Sequence, residues 1–491
     1  MEDMIDDSEK RLADWQIQRD IDELEREGFY DDPEKIDLKT KLIENGVIEL
    51  DKNGKPTGSI NCVQLGKMLL KNDNRNYLVT KDNQEIFSYN GSYYEPCGDA
   101  LIKERVQHYL RDCEVKGLEH YKNETVGFIR NNAYVDRELL NPPIHLINVK
   151  NGIYNWKTNE LIPHSPDYYF LQEIPITYNP NAQINLIKNF LEQMLNLEDI
   201  TIVQEFFGDC LLRSYLYKKA LMMVGLTDTA KSQLLALLGK FLGEKNTSDV
   251  SLYDLCHDRF ATIELYGKQA NICADIGANT LAKTEIFLMI TGGDRIGGQR
   301  KFQQRFNFRN YAKLVFSCNK IPESENKNDA YYNRWLVIEC NNQIPKEEQI
   351  PNFFETLATE EELSALFNWA IEGLKRLYAN KGYSEHRNLE EVRAFMEKGS
   401  NPILEFTTSY VTHKIDGEIE KGHLYNCYLE FCKQLGYPCK ESNVFSRIFK
   451  KYAPMGIDEG QPRIGGHKRV WRGIECTWVL STDNQQEKLE C

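Results

Sequence analysis

The sequence lacks the features that mark membrane and secreted proteins. No stretch approaches the roughly 18 consecutive apolar residues that a membrane-spanning helix needs. The first thirty residues are acidic and contain no apolar segment of the kind found in a secretory signal. The 13 cysteines are odd in number, include no CxxC pair and are scattered from Cys62 to Cys491, which disfavours a disulfide framework. We therefore expect an intracellular, cytoplasmic protein with no membrane partner.

Positive charge is also scarce, because the net charge at pH 7 is −14. Phosphate binding needs Lys and Arg, so this balance alone disfavours a nucleic-acid partner. The negative charge is concentrated, however, in residues 1–60, which hold 18 Asp or Glu against 9 Lys or Arg. Two later stretches are basic: residues 295–313 carry six cations and no acid, and residues 440–472 carry eight cations against three acids. Each stretch alone fits a solvated surface equally well, and only neighbouring motifs favour a binding role.

The pattern of apolar residues predicts several folded segments. The 491 residues are too many for one core, and roughly two to four domains are expected. From residue 218 to 345, apolar strands alternate with helices, which is typical of an α/β fold with a parallel sheet. Alternation around Asn151-Gly152 predicts a β-hairpin or meander. The predicted segments are an acidic segment and linker (1–60), an α+β domain (61–180), a helical collar (181–217), an α/β core (218–345), a helical lid (346–400) and a compact tail (401–491).

The most informative segment is MMVGLTDTAKSQLLALLGKFLG, where a strand runs into Gly225 and a helix opens at Lys231. This order suits phosphate binding, because backbone N–H groups face the phosphates, the Lys ammonium reaches them and the Ser hydroxyl holds Mg²⁺. The spacing matches G-x-x-x-x-G-K-S except at Ala230, whose methyl group would crowd the phosphate or resist a left-handed backbone. Alone, the match fits an ordinary strand–turn–helix equally well. The predicted nucleotide-binding residues are Gly225, Thr227, Asp228, Thr229, Ala230, Lys231, Ser232 and Gln233.

Three further polar residues border successive apolar strands. Asp275 follows QANIC, where a carboxylate would bind Mg²⁺, although capping of the next helix is the alternative. Asn319 follows KLVFSC, where an amide would bind the γ-phosphate or its attacking water, although turn chemistry is the alternative. Arg334 precedes WLVIEC and would reach a neighbouring subunit's nucleotide. Together with the loop they predict an ATP site in which Ser232 and Asp275 hold Mg²⁺ and Asp275, Asn319 and Arg334 are catalytic.

The order and compactness of these motifs resemble the superfamily 3 helicases of viruses and plasmids. The closer similarity is to the phage and plasmid primase–helicase family that includes the poxvirus primase–helicase. The segment TGGDRI, running on through RKF, resembles that family's hairpin, which carries a basic residue toward DNA in a central channel. INVKNGIYNWKTNELIPHSP is similar to the region that precedes its ATPase, and NPILEF through SRIFKKY is similar to its C-terminal winged-helix module.

The resemblance implies a P-loop, AAA+-like NTPase core, preceded by an α+β domain and followed by a winged-helix-like DNA-binding module. It implies an ATP-dependent replicative DNA helicase that translocates on single-stranded or forked DNA as a homo-oligomeric, hexameric ring. Because no primase domain is evident, a separate primase or polymerase is a further candidate partner. The DNA contacts implied by the resemblance are Arg300, Lys301, Arg305, Arg447, Lys450 and Lys451.

Two other functional classes remain open on the sequence alone. A DNA-binding initiator or ring scaffold that holds nucleotide poorly would explain Ala230 and the single acid at Asp275. A small-molecule P-loop kinase would explain the loop, but neither the basic stretch 295–313 nor the tail. ATP turnover with and without single-stranded DNA separates these classes.

Overall fold

The chain forms two compact units that divide after Arg137. The computed structural model describes residues 38–72, 77–111, 113, 115–140, 142–225, 228–277, 284–301, 305–325, 328–343, 353–435, 437, 439–460 and 469–478. None of the helices in these ranges combines the length and apolar character that a membrane crossing requires.

The N-terminal unit packs helices against a small mixed sheet. Its elements are α1 (Leu38–Glu44), β1 (Ile48–Leu50), β2 (Pro56–Ile60), α2 (Cys62–Asn72), β3 (Tyr77–Thr80), β4 (Ile86–Tyr89), β5 (Tyr94–Pro96), α3 (Gly98–Leu110), α4 (Leu118–Asn132) and β6 (Tyr134–Val135). The strands pair in the order β5-β4-β3-β6, with β6 parallel to β3, and β1 and β2 form a separate antiparallel pair. Leu65, Val79 and Ile129 are fully buried in the single core of this unit.

The structure differs from the linker that we expected within residues 1–60. Leu42 of α1, Ile48 of β1 and Ile60 of β2 all lie in the core of the N-terminal unit. The turn-rich sequence DKNGK is the reversal between β1 and β2, because Gly and Asn favour tight turns as readily as linkers. Residues 1–37, which carry most of the acidic excess, lie outside the described residues.

The predicted boundary at residue 180 also differs from the observed division after Arg137. The meander predicted around Asn151-Gly152 is confirmed, since β7 (Leu146–Val149), β8 (Gly152–Asn155) and β9 (Glu160–Ile162) pair antiparallel in that order. Its aromatic residues are buried by a later helix: the Trp156 and Tyr378 rings lie 5.1 Å apart. A three-stranded meander cannot bury such side chains alone, so it folds with the second unit.

A five-stranded parallel sheet forms the centre of the second unit. The elements here are α5 (Leu186–Met194), α6 (Leu197–Cys210), β10 (Ala220–Val224), α7 (Lys231–Leu242), β11 (Thr247–Ser248), α8 (Leu252–His257), β12 (Ala270–Cys273), α9 (Glu285–Gly292), β13 (Arg295–Gly298), β14 (Phe306–Arg309), β15 (Lys313–Cys318), α10 (Asp329–Tyr332) and β16 (Trp335–Glu339). The strand order is β11-β12-β15-β10-β16, and every pairing is parallel. This confirms the predicted parallel α/β arrangement and adds the short β11. Because the strands are parallel, their carboxyl ends share one edge.

The helices predicted as separate collar and lid segments form one packed layer. The later helices are α11 (Phe353–Leu357), α12 (Glu360–Asn380) and α13 (Leu389–Ser400). The backbones of α6 and α12 approach closely, since a Cβ atom on Gly373 would lie 2.5 Å from the Gln204 carbonyl oxygen. Glu362 of α12 also accepts a 3.0 Å hydrogen bond from the Leu186 N–H at the start of α5.

The tail folds around its own aromatic core. Its elements are α14 (Pro402–Tyr410), β17 (Val411–Glu420), α15 (Lys421–Leu435), α16 (Ser442–Tyr452), β18 (Asp458–Gly460) and β19 (Val470–Cys476). The strands form an antiparallel sheet in the order β17-β19-β18. Phe406, Phe449 and Trp471 are buried in this core. We call residues 401–478 the C-terminal module.

Candidate nucleotide and nucleic-acid sites

The candidate phosphate loop lies between β10 and α7 at the carboxyl edge of the sheet. The Gly225 N–H donates a 3.2 Å hydrogen bond to the Cys318 carbonyl at the end of β15. On the other side, the Cys340 N–H donates a 2.7 Å bond to the Val224 carbonyl. The loop is therefore held between two neighbouring strands, the part of an open parallel sheet where ligands bind. Thr227, one of the predicted binding residues, lies outside the described residues.

Ala230 adopts the left-handed conformation, with φ of 58° and ψ of 13°. The sequence predicted this difficulty, because glycine normally occupies the position and tolerates that backbone without cost. An alanine there costs about 1 kcal/mol relative to glycine. The loop thus keeps the shape expected at the glycine position despite the substitution. Asp228 is exposed and also has a positive φ, of 62°.

Lys231 is folded into the loop and is only 5% exposed. Its Nζ donates hydrogen bonds to the Gly225 carbonyl at 2.8 Å and to the Thr229 hydroxyl at 3.1 Å. Both of these acceptors are neutral, and a phosphate oxygen would offer the ammonium a charged acceptor in their place. Ser232 is exposed and Gln233 half-buried in the first turn of α7, where helix N–H groups favour anions.

Asp275 and Asn319 are both exposed just beyond the carboxyl ends of β12 and β15. The Asp275 N–H donates a 3.2 Å hydrogen bond to the Ser317 hydroxyl, which ties the acid to the strand beside β10. Asp275 has a φ of 52°, another left-handed residue at this edge. Ser317 is a supporting residue that the sequence did not indicate, because a serine within an apolar strand carries no motif signal.

The buried Cys318 thiol lies within electrostatic reach of both Lys231 and Asp275. Burial raises the pKa of this thiol to about 12, the Lys231 charge opposes the shift and the Asp275 charge adds to it. Lys231 and Asp275 therefore both lie near Cys318, and Asn319 is the next residue along the chain.

Arg334 lies at the opposite edge of the sheet. Its carbonyl accepts a 2.7 Å hydrogen bond from the Ala220 N–H at the amino end of β10. The five residues of β10 separate it from the phosphate loop by about 17 Å along the strand. The guanidinium is partly buried, and its Nε has no hydrogen-bond partner among the described residues. Burial lowers its pKa, and the neighbouring Tyr215 and Asp294 oppose that shift. The structure does not bring Arg334 to the other predicted catalytic residues of its own chain.

The hairpin expected in the first basic stretch is present as β13 and β14. The two strands pair antiparallel from Arg295 opposite Arg309 to Gly298 opposite Phe306. Strand β13 is held near the turn by a 2.9 Å hydrogen bond from the Thr262 hydroxyl to the Gly297 carbonyl. Exposed cations border its turn: Arg300, Lys301 and Arg305.

Helix α16 presents two different faces. Phe445 and Phe449 are buried in the core of the C-terminal module. The predicted DNA-binding cations are exposed: Arg447, Lys450 and Lys451. Lys450 also pairs with Glu459 at 3.2 Å. The neighbouring residues 461–468, which hold part of the basic stretch, lie outside the described residues.

A basic cavity that the sequence did not indicate lies between α8, α9 and the hairpin. Its volume is about 510 Å³, and Arg259, Arg295 and Arg305 line it. Arg259 precedes the basic stretch by many residues and belongs to no motif, so only the fold places it beside the other two.

The residues at the carboxyl edge fit a magnesium ion carried by a nucleotide. Mg²⁺ prefers oxygen ligands and is commonly bound through one or two protein oxygens together with substrate phosphates. Ser232 and Asp275 offer a hydroxyl and a carboxylate, both exposed. In the described part of the chain, no group of three or more His, Cys, Asp or Glu side chains is placed to hold a metal ion without a nucleotide.

Three family models match separate parts of the chain. A model described as D5 N terminal like matches residues 67–196, and one described as poxvirus D5 protein-like matches residues 398–471. A family of unknown function, DUF5906, matches residues 223–334, the range from the phosphate loop to Arg334.

Solved structures of the NrS-1 C-terminal region are also similar, at 12% identity. One apo structure covers 85% of this chain and 100% of its own with a TM-score of 0.41, and a second covers 84% and 99% with a TM-score of 0.45. No curated protein matches the chain. The matches to the two D5 models relate this chain to D5-type proteins, of which the second model describes a poxvirus form.

Proposed function

We propose that this protein is an ATP-dependent replicative DNA helicase that works as a homo-oligomeric ring on single-stranded or forked DNA. One observation supports the proposal: Lys231, Asp275 and Asn319 follow the carboxyl ends of neighbouring parallel strands, while Arg334 lies at the amino end of the sheet. The relation to D5-type proteins supports a role in viral or phage DNA replication.

Each residue at the carboxyl edge would have a distinct role toward ATP. Lys231 would exchange its carbonyl and hydroxyl acceptors for phosphate oxygens and neutralise their charge. Ser232 and Asp275 would hold Mg²⁺, which when bound neutralises charge on the phosphates. Asn319, at the end of β15, would hydrogen-bond the γ-phosphate or orient the attacking water.

The position of Arg334 supports assembly into a ring. An arginine at the amino edge cannot reach a nucleotide at the carboxyl edge of the same sheet, since the strand length separates them. A neighbouring protomer in a rotationally closed ring would bring the two edges together. A guanidinium supplied in this way stabilises the charge of the transition state and contributes roughly 10³–10⁵-fold to turnover in related chemistry. Six protomers is the number that the family resemblance implies.

The exposed cations of the hairpin and of α16 support DNA binding. Arg300, Lys301 and Arg305 lie around the turn of the hairpin, on a base fixed by buried apolar residues. Contacts of this type track the phosphate backbone, depend little on base sequence and weaken as salt rises. ATP hydrolysis would then move the hairpin relative to a single strand.

The test is ATP turnover with and without single-stranded DNA. We expect turnover that DNA stimulates, and we expect Lys231→Ala to reduce it at least about 100-fold because the phosphate charge loses its main partner. Lys240→Ala is the matched control, since Lys240 is exposed on the same helix and should leave turnover unchanged.

A second candidate is a DNA-binding scaffold of the same fold with weak or absent hydrolysis. The left-handed Ala230 motivates it, because strain in the loop reduces nucleotide affinity. Intact DNA binding by wild-type protein without turnover would favour the scaffold over the helicase.

A further inference from the structure

The loop that follows β15 is held by the C-terminal module. Lys320 comes directly after Asn319, and its Nζ lies 3.7 Å from the centroid of the Tyr437 ring. Tyr437 lies between α15 and α16, and its ring stacks on Phe431 with centroids 5.7 Å apart. A cation over an aromatic face is attracted by the ring quadrupole, most strongly where water is excluded.

The environment of Lys320 is costly for a lysine. Its Nζ is buried and has no hydrogen-bond partner within the described ranges. Burial lowers the pKa of this ammonium, and the charges of Cys432 and Glu405 in the C-terminal module oppose the shift. A desolvated ammonium normally requires hydrogen bonds or an ion pair. Replacing it by an apolar side chain should therefore cost little stability, and a role in positioning better explains the contact.

Two further contacts fix the same loop. The Glu323 carboxylate lies 3.6 Å from the Lys440 ammonium of the C-terminal module. Ile321 is 2% exposed and packs on the end of α13, where a Cβ on Gly399 would lie 2.9 Å from its Cδ1 atom. The Tyr437 hydroxyl donates a hydrogen bond to the Glu405 carboxylate of the C-terminal module, and the carbonyl oxygen of Gly399 lies 3.4 Å from the same hydroxyl. The C-terminal module and helix α13 thus contact this loop at Lys320, Ile321 and Glu323.

The loop that the C-terminal module contacts is joined directly to the candidate nucleotide site. Cys318 is the residue before Asn319, and its carbonyl accepts the hydrogen bond from Gly225 of the phosphate loop. Any shift of Lys320 along the chain therefore displaces Asn319 relative to Lys231. A short covalent and hydrogen-bonded path joins the C-terminal module to the phosphate loop.

We propose that Lys320 and Tyr437 form a coupling contact through which the C-terminal module positions Asn319, so that nucleic-acid binding by that module and nucleotide binding at the sheet edge are linked. This inference rests on the proposed function, because it requires a nucleotide at Asn319 and nucleic acid on the module. Linkage is reciprocal: if DNA changes the nucleotide Kd by some factor, nucleotide changes the DNA Kd by the same factor.

The experiment measures the Kd of a non-hydrolysable ATP analogue with and without single-stranded DNA on the full-length protein. For wild-type protein we expect DNA to change this Kd about tenfold, within the usual range of allosteric coupling. Lys320→Met and Tyr437→Leu should reduce the change to less than about twofold, because each removes one side of the contact. Tyr437→Phe keeps the aromatic face and should keep the full change. Lys398→Met, at an exposed lysine of α13, is the matched control and should also keep it.

Turnover provides a second readout that a purely structural role would not move. Lys320→Met should lower the DNA-stimulated kcat several-fold and should remove the effect of DNA on KM for ATP, since Asn319 would contact the γ-phosphate both in the bound nucleotide and during turnover. Tyr437→Leu also leaves a cavity in the core of the module and could act through stability. Lys320→Met removes the other partner of the contact and leaves that core unchanged.

The outcomes separate this inference from the proposed function. Suppose that wild-type protein binds ATP and DNA, and that DNA changes the nucleotide Kd of Lys320→Met and Tyr437→Leu as much as that of wild-type protein. This result would overturn the coupling contact and leave the helicase proposal intact. Wild-type protein that binds no ATP would overturn both proposals.

Discussion

At the scale of single residues, three of the eight described non-glycine residues with positive φ lie where the nucleotide site is proposed. Asp228, Ala230 and Asp275 are non-glycine residues with φ between 52° and 62°. Each such residue costs free energy that the surrounding fold must offset, and residues of this kind cluster at functional sites. These three residues lie in the loop and in the segment after β12, the two places where phosphate and Mg²⁺ would bind.

Substitutions at Ala230 should distinguish strain from side-chain chemistry. Ala230→Gly removes the strain but adds freedom to the unfolded chain, so we expect the free energy of unfolding to change by less than about 1 kcal/mol. Ala230→Val places a β-branched side chain at positive φ and should weaken ATP binding about tenfold. Nucleotide titration and thermal unfolding of both variants check this. Equal ATP affinity in the two variants would contradict the role assigned to the left-handed backbone.

The Asp82–Arg137 pair predicts a stability that depends on pH. Burial favours a higher pKa for Asp82, but the hydrogen bonds and charge of Arg137 outweigh it and lower the pKa. A depressed carboxyl pKa contributes stability above the unfolded value of about 4 and loses it as pH falls through the folded value. At pH 6 we expect wild-type protein to have a higher melting temperature than the Asp82→Asn variant. This difference in melting temperature should shrink below about pH 4. Asp136→Asn, in an exposed pair with Lys81, is the control and should have little effect at either pH.

At the scale of elements, the contact between α6 and α12 depends on glycine. Gly208 and Gly373 allow the two helix backbones to approach, because a Cβ on either would meet backbone atoms of the other helix. The sequence places these helices more than 150 residues apart and gives no sign that they pair. The same glycines would be read from sequence alone as weak points of a helix.

Gly373→Ala should therefore destabilise the protein although alanine favours helices. The Cβ would lie 2.5 Å from the Gln204 carbonyl oxygen, and overpacking of this kind costs about 1–3 kcal/mol. Gly127→Ala in α4 is the matched control, since nothing lies within 4 Å of its Cβ. That control should gain up to about 1 kcal/mol from helix propensity. Denaturant unfolding monitored by circular dichroism measures both changes, and a stable Gly373→Ala variant would refute the close crossing.

The β13–β14 hairpin should contribute electrostatically to DNA binding. Replacing Arg300 and Lys301 by Ala should lower the slope of log K against log salt by about 1 to 2, because fewer counterions are released. Lys188→Ala, at an exposed lysine of α5, should leave the slope unchanged. Fluorescence anisotropy of a labelled single strand at several salt concentrations gives the slopes. Identical slopes in all three proteins would exclude the hairpin from the DNA interface.

At the scale of the whole molecule, the two halves of the proposed ATP site lie on opposite edges of one sheet. Lys231 is at the carboxyl edge and Arg334 at the amino edge. Under the proposed function, a monomer would hold two incomplete halves of the ATP site. An assembly of several chains would then complete the site, and activity would be a property of the assembly.

Mixing two inactive variants tests this arrangement directly. Lys231→Ala retains Arg334, and Arg334→Ala retains Lys231, so a neighbouring pair of the two variants can form one complete site. In an equal mixture that exchanges subunits, about a quarter of the sites should be complete if the ring is closed by one repeated interface. ATPase activity of the mixture should exceed that of either variant alone. Activity no higher than the sum of the separate variants would mean that each chain completes its own site.

The sequence by itself determined the local features of this protein. Apolar strands bounded by polar residues predicted the parallel sheet, the Asn151-Gly152 turn predicted the meander, and the motif spacing predicted the strained position at Ala230. These features depend on neighbours in the chain, whose periodicity and turn chemistry are visible in sequence.

Only the tertiary structure decided how distant segments meet. It assigned residues 38–60 to the N-terminal core, moved the division to Arg137 and set Arg334 on the edge opposite Lys231. It also placed Tyr437 over Lys320, although more than 100 residues separate them in the chain. Such contacts follow from which apolar faces bury one another and in what strand order, and a linear pattern of residue types does not encode that choice.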